Sequence, residues 1–111
     1  MRFPLPAPML EFLILACLEK QDSYGYEICQ TIKTIQNIKE PVLYPILKKL
    51  QSEKQIDSYE KTIRNRRRKY YTLTLQGREE LTAMRKDWKQ YETKIDAIVQ
   101  TKGETNVEPL L

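Results

Sequence analysis

The 111-residue sequence predicts a mainly α-helical (α+β) domain, with three helices, a two-stranded hairpin and a long final helix. Two observations predict this class. Apolar residues recur at helical spacing in separate segments, and two short aromatic, β-branched stretches at 56–61 and 69–73 enclose a basic run. We expect an N-terminal arm at 1–8, a folded domain at 9–75, a long helix at 76–101 and a flexible tail at 102–111.

Three helices are predicted before the hairpin, over 9–20, 24–36 and 41–54. The first is apolar almost all round and must be buried on most of its surface. Ser23 is expected to cap the second, and Gly25 near its start indicates close approach of another element or of a ligand. The apolar stripes of the second and third helices are Ile28, Ile32 and Ile35, then Leu43, Ile46, Leu47 and Leu50.

Positive charge is concentrated in the third helix and the hairpin. Residues 39–75 hold 10 Lys and Arg against 4 Asp and Glu, whereas the segments on either side each carry a net charge of −1. Six cations fall within 61–69, a run without an acid. A localised patch of this kind favours binding to a phosphate backbone, while a diffuse excess of charge would indicate solubility alone.

A helix followed by a basic hairpin is the arrangement of a winged helix-turn-helix. In that fold a helix enters the major groove and cations contact the phosphates, so we predict double-stranded DNA as the partner. The alternative, a solvated charge run, is less favoured because of the helix and hairpin around it. The predicted DNA-contacting residues are Tyr24, Tyr44, Lys48, Lys49, Arg64, Arg66, Arg67, Arg68 and Lys69.

Some of these residues also have ordinary structural interpretations. Tyr44 could pack beneath the hairpin instead of contacting DNA, and Lys48 and Lys49 could be surface lysines. Alternation along a β-ribbon sends about half of the hairpin cations away from the duplex. Tyr70 and Tyr71 are more simply explained as packing residues than as base-stacking residues.

The last predicted helix carries a heptad seam, for which Thr74 is a suitable N-terminal cap. We expect part of this seam to pack on the first helix and the exposed remainder to pair with a second copy of the chain. Trp88, near the middle of the seam, is expected to anchor that dimer core. The seam residues are Leu81, Met84, Trp88, Tyr91, Ile95 and Ile98.

Several classes of function are disfavoured by the composition. The sequence contains no His, and Cys17 lies in an apolar run, so neither a general base nor an activated nucleophile is evident. We expect no catalytic site, metal or cofactor. No apolar run approaches the length of a membrane span, and no secretory signal is evident, so a cytoplasmic protein with reduced Cys17 and Cys29 is expected.

Three segments in this order resemble the PadR family of bacterial transcriptional regulators. They are Tyr-Gly-Tyr-Glu-Ile at 24–28, Leu-Tyr-Pro-Ile-Leu at 43–47, and Arg-Arg-Lys-Tyr-Tyr-Thr-Leu-Thr at 67–74 with Gly77 after it. The resemblance implies a winged helix-turn-helix homodimer joined by a long C-terminal dimerisation helix. It also implies a repressor that a small molecule can release, and it suggests as an alternative that Trp88 lines a pocket for a planar hydrophobic ligand. The alternative is a protein-interaction module that keeps this fold but modulates another regulator without binding DNA.

Two positions depart from the family pattern. Gln55 stands where members usually have Gly after the recognition helix, and a left-handed conformation there would strain a side chain by roughly 1 kcal/mol or more. Val42 stands where Thr is common, so a hydroxyl that could cap the helix or contact a phosphate is missing.

Overall fold

The computed structural model describes residues 3–100, which form two compact units divided between Leu81 and Thr82. The predicted tail at 102–111 lies outside the described residues. The helices are α1 (Ala7–Lys20), α2 (Gly25–Ile32), α3 (Leu43–Ser52) and α4 (Leu75–Val99), and the strands are β1 (Ser23–Tyr24), β2 (Ile56–Ile63) and β3 (Arg66–Leu73). A short 3-10 helix, Glu40–Val42, leads into α3. Four helices and a small antiparallel sheet confirm the predicted α+β class.

Helix α1 begins at Ala7, within the segment that was expected to be an extended arm. Pro8 is compatible with this start because it lies in the first turn, where a backbone N–H has no partner inside the helix. The buried face of α1 consists of Leu10, Ile14, Leu15 and Leu18.

The prediction that Ser23 caps α2 is wrong. Ser23 and Tyr24 form a short strand, β1, that pairs with Tyr71 and Tyr70 of β3. The sheet therefore has three antiparallel strands in the order β1-β3-β2, and no side chain caps α2.

Helix α2 ends at Ile32, four residues before its predicted end. The Thr34 hydroxyl donates to the Thr31 carbonyl at 2.7 Å, a local bond that competes with continuation of the helix. Ile28 and Ile32 are buried, but Ile35, the third residue of the predicted stripe, is exposed.

Helix α3 ends in a left-handed turn at Lys54, with φ of 63°. The Gln55 N–H donates to the Leu50 carbonyl and the Lys54 N–H to the Gln51 carbonyl, each at 3.0 Å, which is the Schellman pattern. The expected left-handed strain at Gln55 is therefore absent, because Lys54 takes that conformation instead.

The start of α4 is joined to this turn by hydrogen bonds. The Thr74 hydroxyl accepts the Gly77 N–H at 3.0 Å, which confirms Thr74 as a helix cap. The same hydroxyl donates to the carbonyls of Lys54 and Gln55, at 2.7 and 2.9 Å. A Cβ at Gly77 would lie 2.0 Å from the Gln55 carbonyl oxygen, so no larger residue fits there without a backbone shift.

The predicted seam changes character along α4. Leu81 is fully buried within the domain, and its role in dimerisation stays a prediction. Met84 is half-buried, whereas Trp88, Tyr91, Ile95 and Ile98 are between 37% and 83% exposed. Within residues 3–100, no helix is long and apolar enough to cross a membrane.

Candidate nucleic-acid interface

Tyr44 lies on the exposed side of α3 and packs against the start of α2. The residue is 45% exposed. A Cβ at Gly25 would lie 3.0 Å from the Tyr44 hydroxyl oxygen and 3.2–3.3 Å from ring carbons. Gly25 is thus explained by the close approach of this ring, which places Tyr44 against the start of α2.

The Tyr44 hydroxyl donates a hydrogen bond to the Glu40 carboxylate, one helical turn earlier in the chain. This bond is the main reason why the pKa of Tyr44 is raised to about 12, and partial burial of the side chain is the second. Tyr44, the residue most expected to contact DNA, is therefore held by a hydrogen bond to Glu40 and by packing against Gly25.

Other polar side chains of α3 are also held by the domain itself. The Lys49 ammonium contacts Glu11 of α1 at 2.9 Å and Glu53 at 3.5 Å. The Gln51 amide donates to the Ser58 hydroxyl of β2 at 3.0 Å, which ties α3 to the hairpin. Lys48, which precedes Lys49, is exposed.

The hairpin turns tightly at Arg64 and Asn65, whose φ values are 52° and 62°. Positive φ at both central residues is what a type I′ turn requires, and Asn tolerates it well. The strands reach Ile63 and begin again at Arg66, so the hairpin is longer than predicted and carries its cations, apart from Arg64, within the strands.

The strand register separates the cations onto two faces. Arg66 pairs with Ile63 and Arg68 with Lys61, whereas Arg67 pairs with Thr62 on the opposite face. Arg67 forms an ion pair with Glu60 at 2.9 Å. Within residues 3–100, Arg64 and Arg66 are exposed and form no ion pair or ring contact.

Tyrosines cover the base of the hairpin on the same face as Arg68. The Arg68 guanidinium lies 4.3 Å from the centre of the Tyr24 ring, which in turn packs 5.3 Å from the Tyr70 ring. The Tyr59 hydroxyl donates to Asp22 at 2.7 Å. Tyr24 therefore supports Arg68, a contact that its sequence position did not indicate.

Tyr70 and Tyr71 are buried, in agreement with their interpretation as packing residues. Two cations lie above their rings, Lys61 at 5.3 Å from Tyr70 and Lys69 at 5.6 Å from Tyr71. The base of the hairpin is consequently ordered by ring and cation contacts, while its tip extends beyond them.

A model of the PadR-like family of transcriptional regulators matches residues 14–83, more than half of the chain. The chain belongs to this family. The PadR-like assignment agrees with the three segments that carried the resemblance in the sequence.

Several solved structures share the fold. A Streptococcus mutans UA159 protein is 49% identical, with a TM-score of 0.84 over 89% of this chain and 93% of that one. A PadR family transcription regulator of Clostridium difficile R20291 is 32% identical, with a TM-score of 0.77 over 82% of this chain and 98% of that one. Bacillus subtilis PadR in complex with operator DNA is 32% identical, with a TM-score of 0.64 over 71% of this chain and 47% of that one.

Membership of the PadR-like family assigns a regulatory role, not a catalytic one. The cysteines agree with this, since burial raises the pKa of both the Cys17 and the Cys29 thiols and so disfavours a reactive thiolate. No group of His, Cys, Asp or Glu among the described residues could hold a metal ion.

The sequence reasoning missed three acidic residues that shape this surface. Glu40 is four residues before Tyr44, a spacing that could have indicated the contact. Glu11 and Asp22 are 38 and 37 residues from their partners, Lys49 and Tyr59, and no local pattern links such distant positions.

Proposed function

We propose that this chain is a homodimeric, sequence-specific DNA-binding repressor that recognises an inverted-repeat operator. The observation that carries the proposal is the combination of an exposed, held Tyr44 on α3 with a cationic hairpin beside it. The operator-bound state of Bacillus subtilis PadR supports the same use of the fold. Such a repressor acts where the chromosome is, so we assign it to the cytoplasm.

In the proposed complex α3 enters the major groove and the hairpin tip lies on the phosphates. Tyr44 and Lys48 are exposed on α3, and Arg64 and Arg66 are exposed at the tip. Arg68 is held at Tyr24 and reaches the backbone as a fixed cation. Lys49 and Arg67 contribute less, because each already contacts a carboxylate of the domain.

The dimer is proposed to form along α4. Its 25 residues extend about 37 Å at the helical rise per residue. The exposed apolar side chains from Trp88 to Ile98 follow the 3.5-residue spacing of a helix pair. A two-fold dimer with one helix and one hairpin per subunit matches an inverted repeat, with half-sites about one helical turn apart.

A planar hydrophobic effector is proposed to bind near Trp88, whose ring lies 6.1 Å from that of Tyr91. Helices that join the dimer also set the spacing between the two α3 helices. A ligand that prefers one spacing would weaken operator binding tenfold for about 1.4 kcal/mol of coupling. The alternative is a repressor without an effector, controlled by its own concentration.

In vitro selection from a random duplex library tests DNA recognition. We expect a palindromic consensus with two half-sites. An asymmetric consensus would contradict the dimeric operator, and no enrichment would favour the interaction module instead.

Sedimentation of the wild type and of Trp88→Ala tests the dimer. The variant is expected to weaken association by roughly 3 kcal/mol, since it empties a packed aromatic site. Phe3→Ala is the control, because Phe3 is exposed and lies outside the seam. A wild-type protein that is monomeric at micromolar concentration would contradict the proposal.

Fluorescence tests the effector, because Trp88 is the only tryptophan in the chain. Planar dyes should quench it and lower operator affinity in the same concentration range. Absence of quenching at sub-millimolar concentration would leave Trp88 as a packing residue and favour the repressor without an effector.

A further inference from the structure

The hydrogen bond between Tyr44 and Glu40 restricts what the exposed end of α3 can recognise. A phenol has one proton, and a carboxylate has none to give, so Tyr44 is the donor in this bond. Its hydroxyl oxygen can then only accept a hydrogen bond from a third group. The raised pKa of Tyr44 agrees with a proton that stays on the phenol.

The surroundings keep the pair in this arrangement. The ring packs close to the start of α2, since a Cβ at Gly25 would lie within 3.0–3.3 Å of the hydroxyl oxygen and two ring carbons. Glu40 lies in the 3-10 helix that runs directly into α3, so the carboxylate and the phenol move together. Val42 has no polar side chain and Pro45 lacks a backbone N–H, so neither of these two residues supplies a competing donor.

Phosphates are poor partners for such a surface. They present only acceptors, and the negative charge of the Glu40 carboxylate repels them. The major-groove edge of DNA does present donors, namely the amino groups of adenine N6 and cytosine N4. Thymine and guanine present acceptors there instead, namely thymine O4 and guanine O6 and N7. These atoms would face the acceptor oxygens of Tyr44 and Glu40 without a proton between them.

We propose that Glu40 and Tyr44 form an acceptor-only pair that selects an amino base, adenine or cytosine, over a keto base at one position in each half-site. Tyr44 contacts the base, and Glu40 is a positioning residue that fixes the direction of the phenol hydrogen bond. The inference rests on the proposed function, because it requires α3 in the major groove.

Binding to an operator series with all four bases at each half-site position tests the pair. The wild type should favour adenine or cytosine over thymine and guanine by roughly tenfold at one position. Tyr44→Phe, which keeps the ring against Gly25, and Glu40→Gln, which adds amide donors, should each reduce that ratio to near one. Other positions should keep their preferences.

Glu53→Gln is the matched control. It removes the same charge at the other end of α3, where the Glu53 carboxylate contacts Lys49 and not Tyr44. It should raise affinity for all sequences to a similar degree and leave the amino-base preference intact. An equal loss of that preference in Glu53→Gln would show a general charge effect and overturn the role of Glu40.

A second measurement uses only the wild-type protein and therefore does not depend on the folding of a variant. Replacing the selected adenine by purine, or the selected cytosine by 2-pyrimidinone, removes the amino group alone. The replacement that lowers affinity identifies which base is read. Unchanged affinity with both would overturn the inference, whereas failure of the wild type to bind any duplex would overturn the proposed function as well.

Discussion

Helix α3 and the tip of the hairpin present polar groups to the same proposed partner in opposite ways. On α3, Tyr44, Lys49 and Gln51 each have a hydrogen bond to another residue of the domain. At the hairpin tip, Arg64 and Arg66 extend from a tight turn without such contacts in the described part of the chain. One region is fixed before any partner arrives, and the other is not.

This difference matches two kinds of recognition. A base edge differs between base pairs, so only a group held in one place can reject the wrong one. A phosphate is the same at every step, so a mobile cation serves as well as a fixed one. Groups on α3 that are held by hydrogen bonds therefore suit specificity, and the exposed arginines at the tip suit affinity.

The largest expected effect comes from displacing α3 relative to the start of α4. Gly77→Ala places a Cβ 2.0 Å from a backbone oxygen that cannot rotate away, so we expect a loss of roughly 3 kcal/mol in the free energy of unfolding. Gly25→Ala is the control, since its Cβ meets the Tyr44 side chain, which can move. Denaturant unfolding should show a clearly smaller loss for Gly25→Ala; equal losses would contradict the locked junction.

The next largest effect is on the salt dependence of DNA binding, and it should differ between two neighbouring arginines of the hairpin. Arg66→Ala should weaken all sequences alike and flatten the salt slope of DNA binding by about one unit per subunit. Arg67→Ala should change the slope less, because Arg67 already contacts Glu60 at 2.9 Å. Titrations at several salt concentrations measure both slopes, and a larger change for Arg67→Ala would reverse the assignment.

A smaller effect concerns the bond that joins the two regions. Gln51→Ala removes the hydrogen bond to Ser58 and should cost about 1 kcal/mol of stability. If the bond also positions the hairpin relative to α3, Gln51→Ala should lower operator affinity. Expressed as a free energy, this loss should exceed the loss of discrimination between operator and random duplex in Lys48→Ala. Combining Gln51→Ala with Ser58→Ala should add little to either single change, and full additivity would argue against the bond.

The smallest effect is a shift in the titration of one tyrosine. The pKa of Tyr44 is raised to about 12, from 10.0, mainly by its bond to Glu40. A raised pKa in the folded state stabilises the fold below pH 10, and this contribution is lost as the pH rises through about 12. NMR of labelled tyrosine rings should show Tyr44 titrating late in the wild type and earlier in Glu40→Gln.

Local patterns predicted most of the fold. The stripe in α3, the Thr74 cap and the hairpin all depend on residues near one another in sequence, and each is present. Strand β1 was missed because two residues are too few to show an alternating pattern. Its existence depends on β3, almost 50 residues later, and such pairings leave no local signal.

The site was predicted in its residue types but not in its contacts. Periodicity placed Tyr44 and Lys49 on α3 and alternation divided the hairpin cations, as the structure shows. The partners Glu40 and Glu11 decide how free those side chains are; the four-residue spacing of Glu40 and Tyr44 was a local signal that was not used, whereas Glu11 emerges only from the three-dimensional packing. The left-handed residue after α3 was placed one position too late because the helix end itself was uncertain by a residue or two.

The salt dependence of binding to duplex DNA tests the central claim most directly. For a dimer that neutralises about eight phosphates, the logarithm of the binding constant should fall with the logarithm of the salt concentration with a slope near −7. The dimer should also bind an operator far more tightly than random duplex. A slope near zero, or no saturable binding to any duplex, would contradict a DNA-binding repressor and favour a module that acts on another regulator.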